Sequence, residues 1–203
     1  MGAVGATTPT RRDRQRAATR ERVFDAAMAE FRAVGFPNAQ VDRIARAAGV
    51  VRGTFYFHFP SKEHVLIELE QRYSTQVASR LREMRGSEAG LRAVLSGVVD
   101  GIVGIEVELN APELMRDLLG TFVRLPPPEE AADHPTPVLE ELTHHFARAA
   151  DAGELRSDLA SDQLAIMVLT SVFGLLMSRR HQPEQRRADL EALMDVFVKG
   201  MRA

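Results

Sequence analysis

The chain has 203 residues, of which 45% are apolar and 27% charged. These are ordinary values for a globular chain, so disorder over its whole length is excluded. It has no cysteine. That rules out a disulfide scaffold, a cysteine-ligated zinc or iron–sulfur site and a cysteine nucleophile, and it suits a reducing compartment. No apolar leader-like stretch opens the sequence, and the longest uncharged run, Gln163 to Ser178, has 16 residues. A membrane helix needs ~20 apolar residues, so this run reads as a buried core helix and the expected location is cytoplasmic.

The formal net charge of −2 hides an asymmetry. Residues 1–66 carry 11 Lys+Arg against 6 Asp+Glu, a balance of +5, and residues 67–203 carry 15 against 22, a balance of −7. A basic first third on an acidic remainder fits a polyanion-binding head on a body that binds none. A solvated basic tail would give the same sum, because Arg11, Arg12, Arg14 and Arg16 supply much of the excess.

Residues 1–13 form an expected disordered basic arm, beginning with a Gly/Ala/Thr/Pro stretch. The first helix is expected from about Arg14 to Val34, with Val23, Ala27, Phe31 and Val34 on one stripe beside Phe24 and Met28. Gly35 is a candidate C-cap, and Phe36-Pro37-Asn38 a break. A short helix over Val41 to Ala48 ends at Gly49, and a second spans Arg52 to Phe59 before Pro60. Phe55, Phe57 and Phe59 alternate at strand period there, but five residues without a partner make a poor strand, so the segment is taken as helical. Ser61 is a suitable N-cap for a long helix from Lys62 to about Arg85.

Further helices are expected at about 88–109, 112–124, 137–151, 161–180 and 185–201, with five prolines marking Leu125 to Pro137 as a loop. The expected fold class is all-α with about nine helices. It divides into a helix-turn-helix domain over residues 14–60 and a second helical domain over residues 61–203.

Two short helices joined by a glycine-containing turn, beside a longer one, make a helix-turn-helix. Gly49 supplies the positive φ of the corner and Val50 fills the angle. The second helix then offers Arg52, Gly53, Thr54, Tyr56, Phe57 and His58 to DNA. Arg52 is the candidate base reader, with a phosphate contact as its equal alternative. Gly53 lets a phosphate approach the backbone, and Phe55 and Phe59 go to the core. Lys62, at the start of the long helix, is a candidate phosphate ligand, as is Arg43 on the preceding helix. The arginines of the arm are candidate minor-groove contacts, with a solvated tail as the alternative.

Residues Gly49 to Leu66, GVVRGTFYFHFPSKEHVL, resemble the TetR family of bacterial transcriptional regulators. Ala45, Ala48, Gly49, Val50, Gly53, Thr54 and Tyr56 fall on the family pattern, followed by His58, Phe59, Ser61, Lys62, Glu63 and Leu66. The likeness covers about residues 16–66. Three positions depart from it. Gln40 stands where Thr commonly caps, Val51 where Ser, Ala or Thr is usual, and Phe55 in place of a frequent Leu. The resemblance implies DNA contacts from Gln40 and Val41 as well.

It further implies a homodimer on a pseudo-palindromic operator, released by a small molecule bound in the C-terminal domain. The expected interface takes Ile166, Leu169, Phe173, Leu176 and Met177 from one helix and Leu190, Leu193, Met194 and Phe197 from the last. Candidate ligand-lining residues are Met115, Leu118, Phe122, Phe146 and Met167, although each is also ordinary core. The partners expected are thus a DNA operator, a second copy and an unidentified ligand, with no membrane, cofactor or metal. An activator or a ligand-independent regulator with the same contacts is the alternative, followed by a helical partner-binding module. One E-x-x-H pair, Glu141 and His144, sits near His145 and His134. Di-iron bundles need two such pairs and two more glutamates, so this one reads as a solvated face, and no enzyme motif is present.

Overall fold

The structure, a computed structural model, describes residues 10–85, 90–124, 136–156, 158–178 and 183–202. Among these, nine helices form in chain order: α1 Arg11–Val34, α2 Val41–Ala47, α3 Arg52–His58, α4 Lys62–Glu83, α5 Leu91–Leu109, α6 Pro112–Arg124, α7 Pro137–Asp151, α8 Ser161–Met177 and α9 Pro183–Met201. The expected loop over 125–135 lies outside the described residues. The chain divides into two compact units, Met1–Leu66 and Ile67–Ala203.

In the first unit α1 starts three residues earlier than its apolar spacing predicts. Thr10 is the reason. Its hydroxyl accepts from the Asp13 N–H at 3.2 Å, while the Asp13 carboxylate accepts from the Thr10 N–H at 3.0 Å. This reciprocal cap satisfies helix-end donors that would otherwise need water, and it extends the helix over Arg11, Arg12 and Asp13. Those residues are therefore not a disordered arm. Val23, Phe24, Ala27, Met28 and Phe31 form the buried stripe of α1. Gly35, at φ +79°, ends the helix with its N–H on the Phe31 carbonyl at 3.0 Å.

The corner between α2 and α3 is built by Gly49 at φ +66°. The chain reverses there with the Val50 N–H on the Ala45 carbonyl at 2.9 Å. A Cβ on Gly49 would meet nothing within 4 Å, so glycine is required by the backbone angle and not by space. Ile44, Phe55 and Phe59 are fully buried beneath the corner. Phe31 and Phe36 close the other side, edge to face at 5.1 Å.

The second unit is a bundle of the remaining helices. Val94, Leu95, Val98 and Val99 of α5 are buried, as are Leu142 and Phe146 of α7. Gly101 marks a close approach of α5 to α4, since a Cβ there would lie 2.7 Å from Val77 Cγ2. Leu164, Ala165, Val168, Val172 and Leu176 form the buried stripe of α8. Leu190, Met194, Val198 and Met201 are the buried residues of α9.

Of the E-x-x-H pair, His144 is exposed as expected, but Glu141 is not on a solvated face. Glu141 is 1% exposed, and its two carboxylate oxygens accept from Arg82 Nε at 2.8 Å and Arg85 Nε at 2.7 Å. His145 is also buried, with Nε2 donating to the Leu81 carbonyl at 2.9 Å. These contacts tie α7 to α4. His134 lies outside the described residues, and among those described no group of three or more His, Asp or Glu is placed to hold a metal ion.

Candidate nucleic-acid interface

The outward face of α3 follows from its period. Phe55 and Phe59, four residues apart, turn inward, so Arg52, Gly53, Tyr56 and Phe57 turn out. Phe57 is 64% exposed and Tyr56 41%. Neither has an aqueous reason to be there, and exposed aromatics beside a cation are what a partner surface requires. The Arg52 guanidinium is already oriented. Its Nη1 donates to both oxygens of Asp42 at 3.0 and 2.9 Å, and its Nη2 to the Tyr56 hydroxyl at 3.2 Å. The Tyr56 hydroxyl and the Asp42 carboxylate hold the Arg52 pKa above its usual value, so the cation is permanent.

Gly53 is exposed, with nothing within 4 Å of where a Cβ would stand, which leaves the α3 backbone open to approach. Thr54 and Val41 are half-buried at the edge of the face. Gln40 and Arg43 are exposed on α2, with the Gln40 N–H on Glu30 at 3.4 Å and the Arg43 guanidinium 3.8 Å from the same carboxylate. Gln40 and Val51 occupy the N-cap positions of α2 and α3 and make no side-chain cap, as their departure from Ser and Thr implies. Arg16 lies over the exposed Phe57 ring at 4.8 Å, which adds a second cation to the surface.

Two expected contacts are corrected. His58 is 7% exposed, because the seventh residue of α3 rotates inward. Its carbonyl accepts from Arg20 Nη1, and burial, followed by the charges of Arg20 and Arg16, lowers its pKa. A neutral, buried ring is part of the joint between α1 and α3 and not a DNA-facing cation. Lys62 is committed as well. Its ammonium donates to the Phe36 carbonyl at 2.7 Å and the Pro37 carbonyl at 3.0 Å, and sits 4.7 Å from the Phe36 ring centroid. It fastens the turn after α1 to the start of α4. Sequence reasoning missed Asp42 and Arg16 as the groups that orient the exposed face. A carboxylate ten residues before Arg52 carries no local signal for that role.

The family model for bacterial regulatory proteins of the tetR family matches residues 23–69, which contain α2, α3 and the start of α4 but not Arg16 or Arg20. The uncharacterized HTH-type transcriptional regulator TtgW of Pseudomonas putida is 54% identical over 48 residues, covering 24% of this chain and 36% of that protein. The match thus spans about a third of that relative's length. The HTH-type transcriptional repressor AcnR of Corynebacterium efficiens is 26% identical over 160 residues, 78% of this chain and 80% of that one. Among solved structures, the FadR transcriptional repressor of Thermus thermophilus in complex with lauroyl-CoA superposes with a TM-score of 0.74 at 23% identity, over 91% of this chain and 95% of that chain.

Residues 23–69 thus match the DNA-binding domain of the tetR family, and the fold over most of the chain is that of a solved TetR-family repressor. The relatives named above are transcriptional regulators. None of the described helices is long and apolar enough to cross a membrane.

The second unit of the chain holds a half-open apolar cavity of about 150 Å³. Met115 and Leu118, expected at a ligand, line it together with Val98, Ile102 and Ile105 of α5. Leu169 and Leu176 of α8, expected at the interface, line it too, Leu169 half-buried and Leu176 buried. Leu190 and Met194 are likewise core residues, because the stripe they share on α9 faces its own unit. Phe146 is fully buried core, and Met167 is 48% exposed on the outer side of α8, so neither lines the cavity. The side chain of Phe122 lies outside the described residues. Ile166 and Met177 stay exposed, and Phe173, Leu193 and Phe197 half-buried, which leaves an apolar outer face on α8 and α9. Glu70, Tyr73, Ser74 and Val77 of α4 complete the cavity wall. They escaped the sequence reading because a long amphipathic helix gives no sign of which stretch borders a void.

Proposed function

We propose that this chain is a TetR-family transcriptional repressor that binds a pseudo-palindromic operator as a homodimer and leaves it when a small molecule occupies the cavity of the second unit. The observation that carries the reading is the outward face of α3. Arg52, Tyr56 and Phe57 stand exposed on a helix whose opposite side is locked into the core. Side chains held this way can enter a major groove at little ordering cost, and an arginine there suits a guanine edge or a phosphate. Gln40, Val41, Arg43, Gly53 and Thr54 border that face and are assigned to the flanking backbone.

The homodimer rests on the apolar outer face of Ile166, Phe173, Met177, Leu193 and Phe197. Apolar residues exposed on two helices suit a partner surface, and a second copy would cover them with a four-helix contact. Two-fold symmetry would then space the heads for successive major grooves, roughly 34–36 Å apart. The helix from Lys62 to Glu83 supplies residues to both units and lines the cavity. A ligand that prefers one position of α4 therefore has a route to the head, and it acts to the extent that it binds the two states unequally. The relatives support the direction of control, since AcnR and FadR are both named repressors and FadR was crystallised with lauroyl-CoA.

The test is a pull-down of sheared genomic DNA with the full chain, sequenced, beside an Arg52→Ala/Tyr56→Ala variant. Wild type should enrich a few fragments that share an inverted repeat, and the variant none. Affinity for such a fragment should fall with salt at a slope of about −0.9 per phosphate neutralised. Equal enrichment by both proteins would remove α3 as the reading element.

A further inference from the structure

The cavity of the second unit has one polar feature that its packing does not explain. Among the described residues its wall is apolar on α5, α6 and α8, and no Lys, Arg or His contributes to it. On α4 it carries the carboxyl group of Glu70. Among the described residues Glu70 has neither a hydrogen-bond nor an ion-pair partner. Glu70 is half-buried, and the buried acid of the same unit is treated differently. Glu141 is met by two guanidinium groups in the same unit. A lone carboxyl in an apolar hollow is costly to ionise and adds nothing to the core. Its natural complement is a group that the protein lacks there.

The geometry points to the class of that group: the cavity takes a small apolar molecule of about one aromatic ring that carries a protonated amine, with the ammonium on the Glu70 carboxylate. This rests on the reading of the cavity as the effector site and names what enters it. The volume, about 150 Å³, is that of a single ring, the size of void that accepts benzene in an engineered apolar core. An ammonium brings both the opposite charge and three donors, the complement of an acceptor-only carboxylate. Tyr73, one helical turn along α4, lines the same hollow and offers an aromatic face to a cation. An anion finds no cationic partner in the lining, and a neutral ring leaves the carboxylate unmet.

The protonation state of Glu70 gives the class a signature. Burial pushes its carboxyl up to about 7. Among the described residues the only other titratable group in the lining is the Tyr73 phenol. The α5, α6, α7 and α8 walls contribute only apolar side chains. Below pH 7 an arriving amine must therefore expel the Glu70 proton, and its affinity falls. An alkylamine stays charged throughout this range, so the dependence belongs to Glu70. Binding should be about tenfold weaker at pH 6 than at pH 8.

The experiment is isothermal titration of the full chain at pH 6 and pH 8 with three probes of one shape: phenethylamine, 2-phenylethanol and phenylacetate. Wild type should bind phenethylamine tightest, with the tenfold pH dependence. Glu70→Gln should lose at least tenfold in amine affinity together with that dependence, keep its affinity for 2-phenylethanol, and melt no lower than wild type. The inference is overturned if phenethylamine binds no better than the alcohol or the acid, if no probe binds, or if Glu70→Gln keeps the amine. Operator affinity is read separately by fluorescence anisotropy. Amine binding that leaves operator affinity unchanged would refute the effector reading and uphold the ligand class. Operator release by phenylacetate or 2-phenylethanol, without amine binding, would do the reverse.

Discussion

Consider the joint in which Glu141 of α7 accepts from Arg82 and Arg85 of α4. The two sides of this ion cluster are not equally placed. The Glu141 side chain is 2% exposed, whereas those of Arg82 and Arg85 are 55% and 38% exposed. Replacing both arginines by alanine leaves a carboxylate in the core without a cation, which costs about 3–5 kcal/mol. Glu141→Gln acts on the other side. Both guanidinium groups can turn to water, and the amide oxygen still accepts one bond, so the loss is about 1–2 kcal/mol. At ~2–4 °C per kcal/mol for a chain of this length, melting should fall by roughly 6–20 °C for Arg82→Ala/Arg85→Ala and roughly 2–8 °C for Glu141→Gln. Urea unfolding followed by circular dichroism at pH 7 measures both, and an unchanged slope would show that the denatured state is not the cause. Equal losses, or a larger loss for Glu141→Gln, would refute the argument that the buried partner determines the cost.

The other predictions concern the head, the helix contact and the acid in the cavity. Arg52→Lys should weaken operator binding by about 5- to 150-fold and relax preference at one base position if the guanidinium grips a guanine edge. A uniform loss over all sequences, with the salt slope reduced by about one contact, would make Arg52 a phosphate ligand instead. Gly101→Ala gains ~1 kcal/mol of helix propensity but drives a methyl group to 2.7 Å from Val77 Cγ2. Val77 is β-branched and stiff, so overpacking wins and the net loss is about 1–2 kcal/mol, which a further Val77→Ala should relieve in a double-mutant cycle. Gly49→Ala should cost about 1–2 kcal/mol from the positive φ alone, because its Cβ meets nothing, and thermal melting of the variant checks it.

The Glu70 carboxyl is raised from 4.5 to about 7, so the folded chain holds its proton where the unfolded chain has released it. Stability should therefore fall as pH rises from 4.5 to 7, by up to about 3 kcal/mol at 1.36 kcal/mol per pH unit. Glu70→Gln should be the more stable protein at pH 8 and lose that advantage near pH 4.5. Urea midpoints of both proteins across that range would show parallel profiles if Glu70 contributes nothing.

The head is the part most fully written in the sequence. Its exposed face is made of residues between Gln40 and Phe57, close in the chain and set by one glycine corner, so local rules reach it. Helix limits were also legible, because glycine, proline and capping residues act within a turn of where they stand. Even there, Thr10 and Asp13 moved the start of α1, and a seventh residue was enough to rotate His58 inward. Lys62 shows the limit more sharply. Its charge is evident from the sequence, but the two carbonyls that hold it are 25 and 26 residues earlier.

In the second unit tertiary structure decides almost everything of functional interest. The α8 sequence is apolar nearly all round, so its period cannot say which side faces home. Packing puts Leu176 inside and leaves Ile166 and Met177 out, a separation of roles that only the angular position of the neighbours creates. The same holds for Glu141 and Glu70. Both are acids on amphipathic helices, and nothing near either one in sequence distinguishes them. One met two arginines and the other met a hollow, because burial is a property of what surrounds a residue and not of the residue itself.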